Sequence, residues 1–202
     1  MPSDPDQRSA SERRGASGQP SRVRHDRDDV VAAALGLLDQ VGLPDLTMRR
    51  LAAALGVQPS ALYRHFASKQ ALLAALADRI TAEDGAAAAS AAPAAAAARL
   101  RTELLAHRDG AEVVASTFAL GLGDGTALDR LTTAFRGAGL PQDQAAGAAA
   151  TLLHFVLGSV QLEQQRRQAA ELGISVAPEP PGGFGLGVDL IVRGARTPAP
   201  SQ

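Results

Sequence analysis

The chain has 202 residues, a formal net charge of −1, 46% hydrophobic and 3% aromatic residues, and no cysteine. That length allows one or two domains with a real core. The missing thiols exclude disulfides and thiolate metal sites and fit a reducing compartment, while the near-neutral charge excludes a coat of basic residues but not a local basic face.

No uninterrupted apolar run approaches the ~18 residues of a membrane-spanning helix, and the polar N-terminus shows no secretory signal. The expectation is a soluble, cytoplasmic protein. With so few aromatics, the core must come from Ala, Leu and Val, and the Ala and Leu bias predicts an all-α fold. Nearly all cations are Arg, with Lys69 the only Lys.

Residues 1–24 are polar and rich in Ser, Pro, Gly, Asp and Arg, and read as a disordered tail. Within it, Arg22 and Arg24 are the best placed to lie along DNA. From Asp26, Val30, Val31, Ala34, Leu37, Leu38 and Val41 recur at helical spacing. Gly42 stands where a left-handed cap would be, and Pro44 prevents continuation. Thr47 is an N-cap for a helix that buries Leu51, Ala54 and Leu55 and stops at Gly56. Pro59 opens the next helix, with Leu62 and Phe66 inward. Ser68 caps a fourth helix carrying Leu72, Leu73, Leu76 and Ile80.

Residues 85–98 are nearly all alanine around Pro93. They read either as a frayed helix end with a linker, or as an Ala-rich helix interrupted at the proline. A second helical region spans 99–195. Leu100, Leu104 and Leu105 precede a corner at 107–110, then Val113, Val114, Phe118 and Leu120 resume an apolar face. After a glycine-rich loop at 121–125, Thr126 is the expected cap of a helix through Leu128, Leu131 and Phe135. Pro141 opens a long helix from Gln142 to Glu171. Its middle, 152–158, is apolar on nearly every side, which implies burial all round or in an interface. Phe184 to Gly194 reads as a last helix before a disordered tail at 196–202.

The segment 46–66 carries the chemistry. It reads as a short capped helix, a glycine-centred turn, and a second short helix with a polar outer face, a helix-turn-helix. Gln58, Ser60 and Ala61 lie at the base-contacting end of that second helix. Gln suits adenine, Ser donates to several bases, and the Ala methyl touches thymine. Arg64 shares this face. Tyr63, His65 and Lys69 are placed for phosphates, as is Thr47, and Arg49 for a guanine or a phosphate. The alternative for Tyr63 and His65 is that they cover the core edge.

Residues 26–80 resemble the DNA-binding domain of the TetR family of bacterial transcriptional regulators. The signature is Leu62-Tyr63-Arg64-His65-Phe66, followed by Lys69 and Leu72-Leu73. The resemblance implies an all-helical homodimer, usually a repressor: a three-helix helix-turn-helix domain (25–84), then a helical effector-binding and dimerisation domain (99–195). Residues 104–113, 154–158 with Glu163 and Gln164, and 184–187 with Leu190-Ile191 resemble the tetracycline repressor subgroup. In that subgroup a histidine and a glutamate hold a magnesium–tetracycline chelate. Those positions correspond here to Val114 and Leu162, and a polar drug contact corresponds to Gly85. Without the nitrogen and the carboxylate, little remains to hold a hard divalent cation. The implied effector is therefore a small apolar ligand, with no metal or cofactor.

Candidate walls of its pocket are Leu100, Leu104, Val113, Val114, Thr117, Phe118, Leu131, Phe135, His154 and Phe155, an apolar set with few polar groups. Ordinary core is the competing reading for each. No nucleophile–base pair, phosphate-binding glycine loop or metal-spaced cluster is visible, so an enzyme is not expected. The expected partners are a palindromic double-stranded operator, a small-molecule effector and a second copy of the chain. The alternative is a small-molecule-binding or drug-sequestering helical protein that does not meet an operator.

Overall fold

The computed structural model describes residues 25–82, 92–177 and 182–197. The tail arginines, the first part of the alanine tract with Gly85, and residues 198–202 lie outside them. Among the described residues the structure is helical without a strand: α1 Arg27–Val41, α2 Met48–Ala54, α3 Pro59–Leu62, α4 Lys69–Ile80, α5 Pro93–Leu105, α6 Gly110–Ala119, α7 Thr126–Gly137, α8 Gln142–Glu171 and α9 Gly183–Ala195.

Local chemistry explains most of the boundaries. Asp26 and Asp29 form a reciprocal capping box at the start of α1, with N–H···O distances of 2.8 and 3.0 Å. Thr47 Oγ1 accepts the Arg50 N–H at 3.1 Å, and Ser68 Oγ the Ala71 N–H at 3.1 Å. Pro93 opens α5, preceded by an extended Ala92. Its missing N–H falls among groups that have no intrahelical partner anyway.

Four helices, α2, α6, α7 and α8, end with the same device. At α2, Val57 N–H reaches back to Ala52 O at 3.0 Å and Gly56 N–H to Ala53 O at 3.2 Å, with Gly56 at φ +66. This is the two-bond left-handed cap that only glycine adopts freely. Gly121, Gly139 and Gly173 close the others in the same way.

Two expected caps are corrected. Gly42 has positive φ (+78) but extended ψ (168), so the chain leaves α1 outward instead of curling back. At α7 the N-cap is Gly125, and Thr126 is the first helical residue. Its N–H is taken by Asp124 Oδ1 at 2.9 Å, because the carboxylate reaches two residues forward as an Asx turn.

In the first bundle, Leu38, Leu51, Leu62, Phe66, Leu72 and Leu76 are buried together between α1, α2, α3 and α4. From there α4 packs on α6, and α8 forms the spine of the second half, in contact with α5, α6, α7 and α9. The buried apolar residues form one continuous cluster from Val30 to Val188. At 30 residues, α8 is ~45 Å long. It also corrects the expectation about apolar runs: one 18-residue window has mean hydropathy 1.5, long and apolar enough to cross a membrane by length and composition. Alanines between the leucines and valines supply that hydropathy. Here Leu152, Leu153, Val156, Leu157 and Val160 are buried against neighbouring helices.

Candidate nucleic-acid interface and effector domain

The reading element is shorter than the sequence pattern suggests. α3 is one turn, Pro59–Leu62, and the chain continues through turns whose His65 and Phe66 N–H groups both reach Leu62 O at 2.9 Å. A single turn has almost no helix stability of its own. Its pose comes from Leu62 and Phe66, both 1% exposed in the core. The Arg27 guanidinium of α1 lies 4.9 Å from the Phe66 ring centroid, a cation–π contact that ties α1 to this turn. His25 Nε2 donates to Leu55 O at 3.2 Å, satisfying a carbonyl at the end of α2. Neither Arg27 nor His25 stands out in the sequence, because such contacts have no periodic signature.

The predicted DNA-facing residues differ in how open they are. Thr47, Arg49, Gln58, Ser60, Tyr63 and Arg64 are exposed, and Ala61, His65 and Lys69 are half-buried at the edge. Tyr63 is 52% exposed, too open for a residue that only covers the core edge. Gln58 is the N-cap of α3 without a capping hydrogen bond, so its amide is free to meet another group. Arg50 pairs with Asp45 at 3.4 Å. Among the described residues Arg49, Arg64 and Lys69 have no ion pair within the chain, which leaves local positive charge on a chain of net charge −1.

The predicted effector residues separate into three groups. Leu100, Leu104, Val113, Leu131 and Phe135 are at most 1% exposed, Val114 is also buried, and all of these are packed as core. Thr117 is buried with its hydroxyl donating to Val113 O and Val114 O, both at 3.0 Å. Phe118 meets His154 edge-on with ring centroids 5.8 Å apart, and Phe155 stacks on Phe184 at 5.7 Å. His154 is exposed in the single chain although its helix is apolar. Depressions of about 630, 300 and 240 Å³ lie elsewhere, and none is lined by the predicted wall residues. Among the described residues no three His, Asp or Glu side chains converge.

A polar network that sequence reasoning missed joins the two halves. Asp39 of α1 accepts from Arg108 N–H at 2.9 Å and lies 3.1 Å from His107 Nδ1. Buried Gln164 of α8 donates to Leu104 O at 3.1 Å and His107 O at 2.8 Å and accepts from Ala111 N–H at 3.3 Å. These bonds fix the α5–α6 corner on α8 and on the end of α1.

Residues 30–76 match the family model described as bacterial regulatory proteins, tetR family, and residues 84–176 match the tetracyclin repressor-like C-terminal domain. The class A tetracycline repressor of transposon 1721 from Escherichia coli is 38% identical over 160 residues, covering 75% of this chain and 73% of that protein. Mycobacterium smegmatis BioQ superposes with a TM-score of 0.75 at 40% identity, over 85% of this chain and 97% of that one. A structure of BioQ with its double-stranded DNA operator superposes at 0.68 with 39% identity, over 85% and 98%.

Proposed function

This chain belongs to the tetR family of bacterial regulatory proteins and is a DNA-binding transcriptional regulator, and from that premise we propose that it is a homodimeric repressor released from a palindromic operator by a small apolar ligand. The observation that carries the reading is the open polar face of Gln58, Ser60, Tyr63 and Arg64 on a turn anchored by fully buried Leu62 and Phe66. Two copies of that turn would enter successive major grooves ~34 Å apart. BioQ bound to its own operator lends support by analogy.

Dimerisation through α8 and α9 is supported by apolar side chains left open on their surfaces: Leu162 is 54% exposed, and Leu186 and Leu190 are each 63% exposed. The pair on α9 is spaced i, i+4, so both face the same way. We place the DNA-binding domain at 25–84, the connecting segment at 85–98 and the effector and dimerisation domain at 99–195, in the cytoplasm where its DNA lies. An effector other than metal-chelated tetracycline follows from Val114 and Leu162, neither of which can ligate a cation.

The test is selection of bound duplexes from a random pool, followed by titration of the selected duplex with salt. A palindromic consensus and a steep loss of affinity with salt are expected. Retention of no duplex at low salt, or affinity unchanged in both Tyr63→Ala and Lys69→Ala, overturns the reading.

A further inference from the structure

A cleft of about 300 Å³ lies between the turn after α1, the corner that opens α6 and one face of α8. That volume is at the small end of ligand sites. None of the apolar wall residues proposed for the effector pocket lines it.

The walls are held firmly, yet several of their polar groups are uncommitted. α8 brings four glutamines to the cleft in two i, i+4 pairs. One pair builds it. Buried Gln164 bonds the Leu104 and His107 carbonyls and the Ala111 N–H, and Gln168 donates to Asp109, whose second oxygen takes the Leu43 N–H. The other pair, Gln161 and Gln165, makes no hydrogen bond among the described residues. On the corner, Arg108 and Glu112 also line the cleft, and neither is paired with the other or with any described side chain. The Arg108 main chain is fixed, its N–H donating to Asp39 at 2.9 Å. Asp45 at the rim is paired with Arg50 at 3.4 Å, and Val41 and Pro44 add an apolar edge. The 240 Å³ depression is the contrast, since there Arg101 and Glu163 neutralise each other at 2.6 Å.

We infer that this cleft is a second ligand site, for a small zwitterion: a free α-amino acid with an uncharged side chain. Arg108 takes the carboxylate through the paired N–H groups of its guanidinium. Glu112 takes the ammonium. Gln161 and Gln165, each both donor and acceptor, complete the hydrogen bonds of the two groups. The ligand side chain rests on Val41 and Pro44, where a third charge would find no partner. A ligand with one charge leaves the opposite wall charge uncompensated, which sets the specificity.

The test is calorimetric titration of the full chain with each uncharged proteinogenic amino acid, beside melting temperatures. At least one binds with a Kd of about 1 mM or tighter and raises the melting temperature. Arg108→Met and Glu112→Gln each weaken that binding about tenfold or more, as for lost hydrogen bonds to charged groups. Both side chains are exposed and unpaired, so the unliganded variants melt within a few degrees of wild type. The N-acetyl and carboxamide derivatives of the same amino acid, each lacking one charge, bind about tenfold more weakly or worse.

No binding of any of these amino acids at about 10 mM overturns the inference. So does wild-type affinity in either folded variant, or a derivative that binds as tightly as its parent. Putrescine binding that Glu112→Gln abolishes and Arg108→Met spares overturns it in favour of an acidic cleft for amines. If one variant fails to fold, the derivatives on the wild-type chain decide alone. None of these measurements uses an operator, so the site stands or falls apart from the regulatory reading.

Discussion

The Leu43 N–H donates to Asp109 Oδ2 at 2.7 Å across 66 residues of sequence, pinning the turn after α1 to the corner that opens α6. The extended ψ of Gly42 is what aims that N–H outward, and Gln168 of α8 occupies the other Asp109 oxygen. Asp109 is 8% exposed and sits at φ +55, a left-handed conformation that Asp tolerates better than most residues. Asp109→Ala leaves two donors without acceptors and costs about 3 kcal/mol. The melting temperature is expected to fall by roughly 6–12 °C. Asp109→Asn, which keeps one acceptor and tolerates the same backbone, should lose about half as much by thermal denaturation.

Gln58 and Lys69 should fail differently. Gln58→Ala removes a base-reading amide, so the selected consensus relaxes at one position, worth about 1–3 kcal/mol, while the salt dependence stays as it was. Lys69→Ala weakens all duplexes alike and reduces the slope of log affinity against log salt by about one. Selection and salt titration on both variants separate the two roles.

Glu103 lies between Arg99 at 3.1 Å and Arg130 at 2.8 Å, with the Arg130 side chain only 9% exposed. Arg130→Met leaves a partly buried carboxylate held by Arg99 and a Thr81 carbonyl without this donor. A loss of about 2–3 kcal/mol in denaturant unfolding is expected, below the full cost of an orphaned buried charge. Adding Glu103→Leu removes the uncompensated carboxylate and should restore most of the loss; no recovery in the double variant would show that the Thr81 contact dominates.

Gly187 of α9 faces the Phe155 ring so closely that a Cβ on it would overlap ring carbons. Gly187→Ala must displace the aromatic pair Phe155–Phe184 and is expected to cost about 1–3 kcal/mol of overpacking. If α8 and α9 form the dimer contact, the same change raises the dimer dissociation constant, measurable by sedimentation. A fall in stability with unchanged self-association would place the dimer contact elsewhere.

What the sequence made legible is what local chemistry decides. Thr47 and Ser68 announce helix starts because their hydroxyls reach an N–H three residues on, Pro59 marks a first turn, and Pro141 stands just before α8. Gly56 marks a stop because only glycine relaxes into its backbone conformation. Thr126 was misleading by one residue, since Asp124 takes the N–H that a cap would have served. The links through Asp39, Asp78, Asp109 and Gln164 stayed invisible, because each joins groups more than 40 residues apart with no repeating interval. His154 shows the same limit: an apolar neighbourhood in sequence did not tell which side of α8 it would occupy.

The one-turn length of α3 has an evolutionary corollary. Since buried Leu62 and Phe66 are its main anchors, the side chains at 58 and 60, and half-buried 61, contribute little to seating it. Swapping those three rewrites the address this protein answers to without weakening the scaffold, so paralogues built on one interior can diverge to serve unrelated promoters.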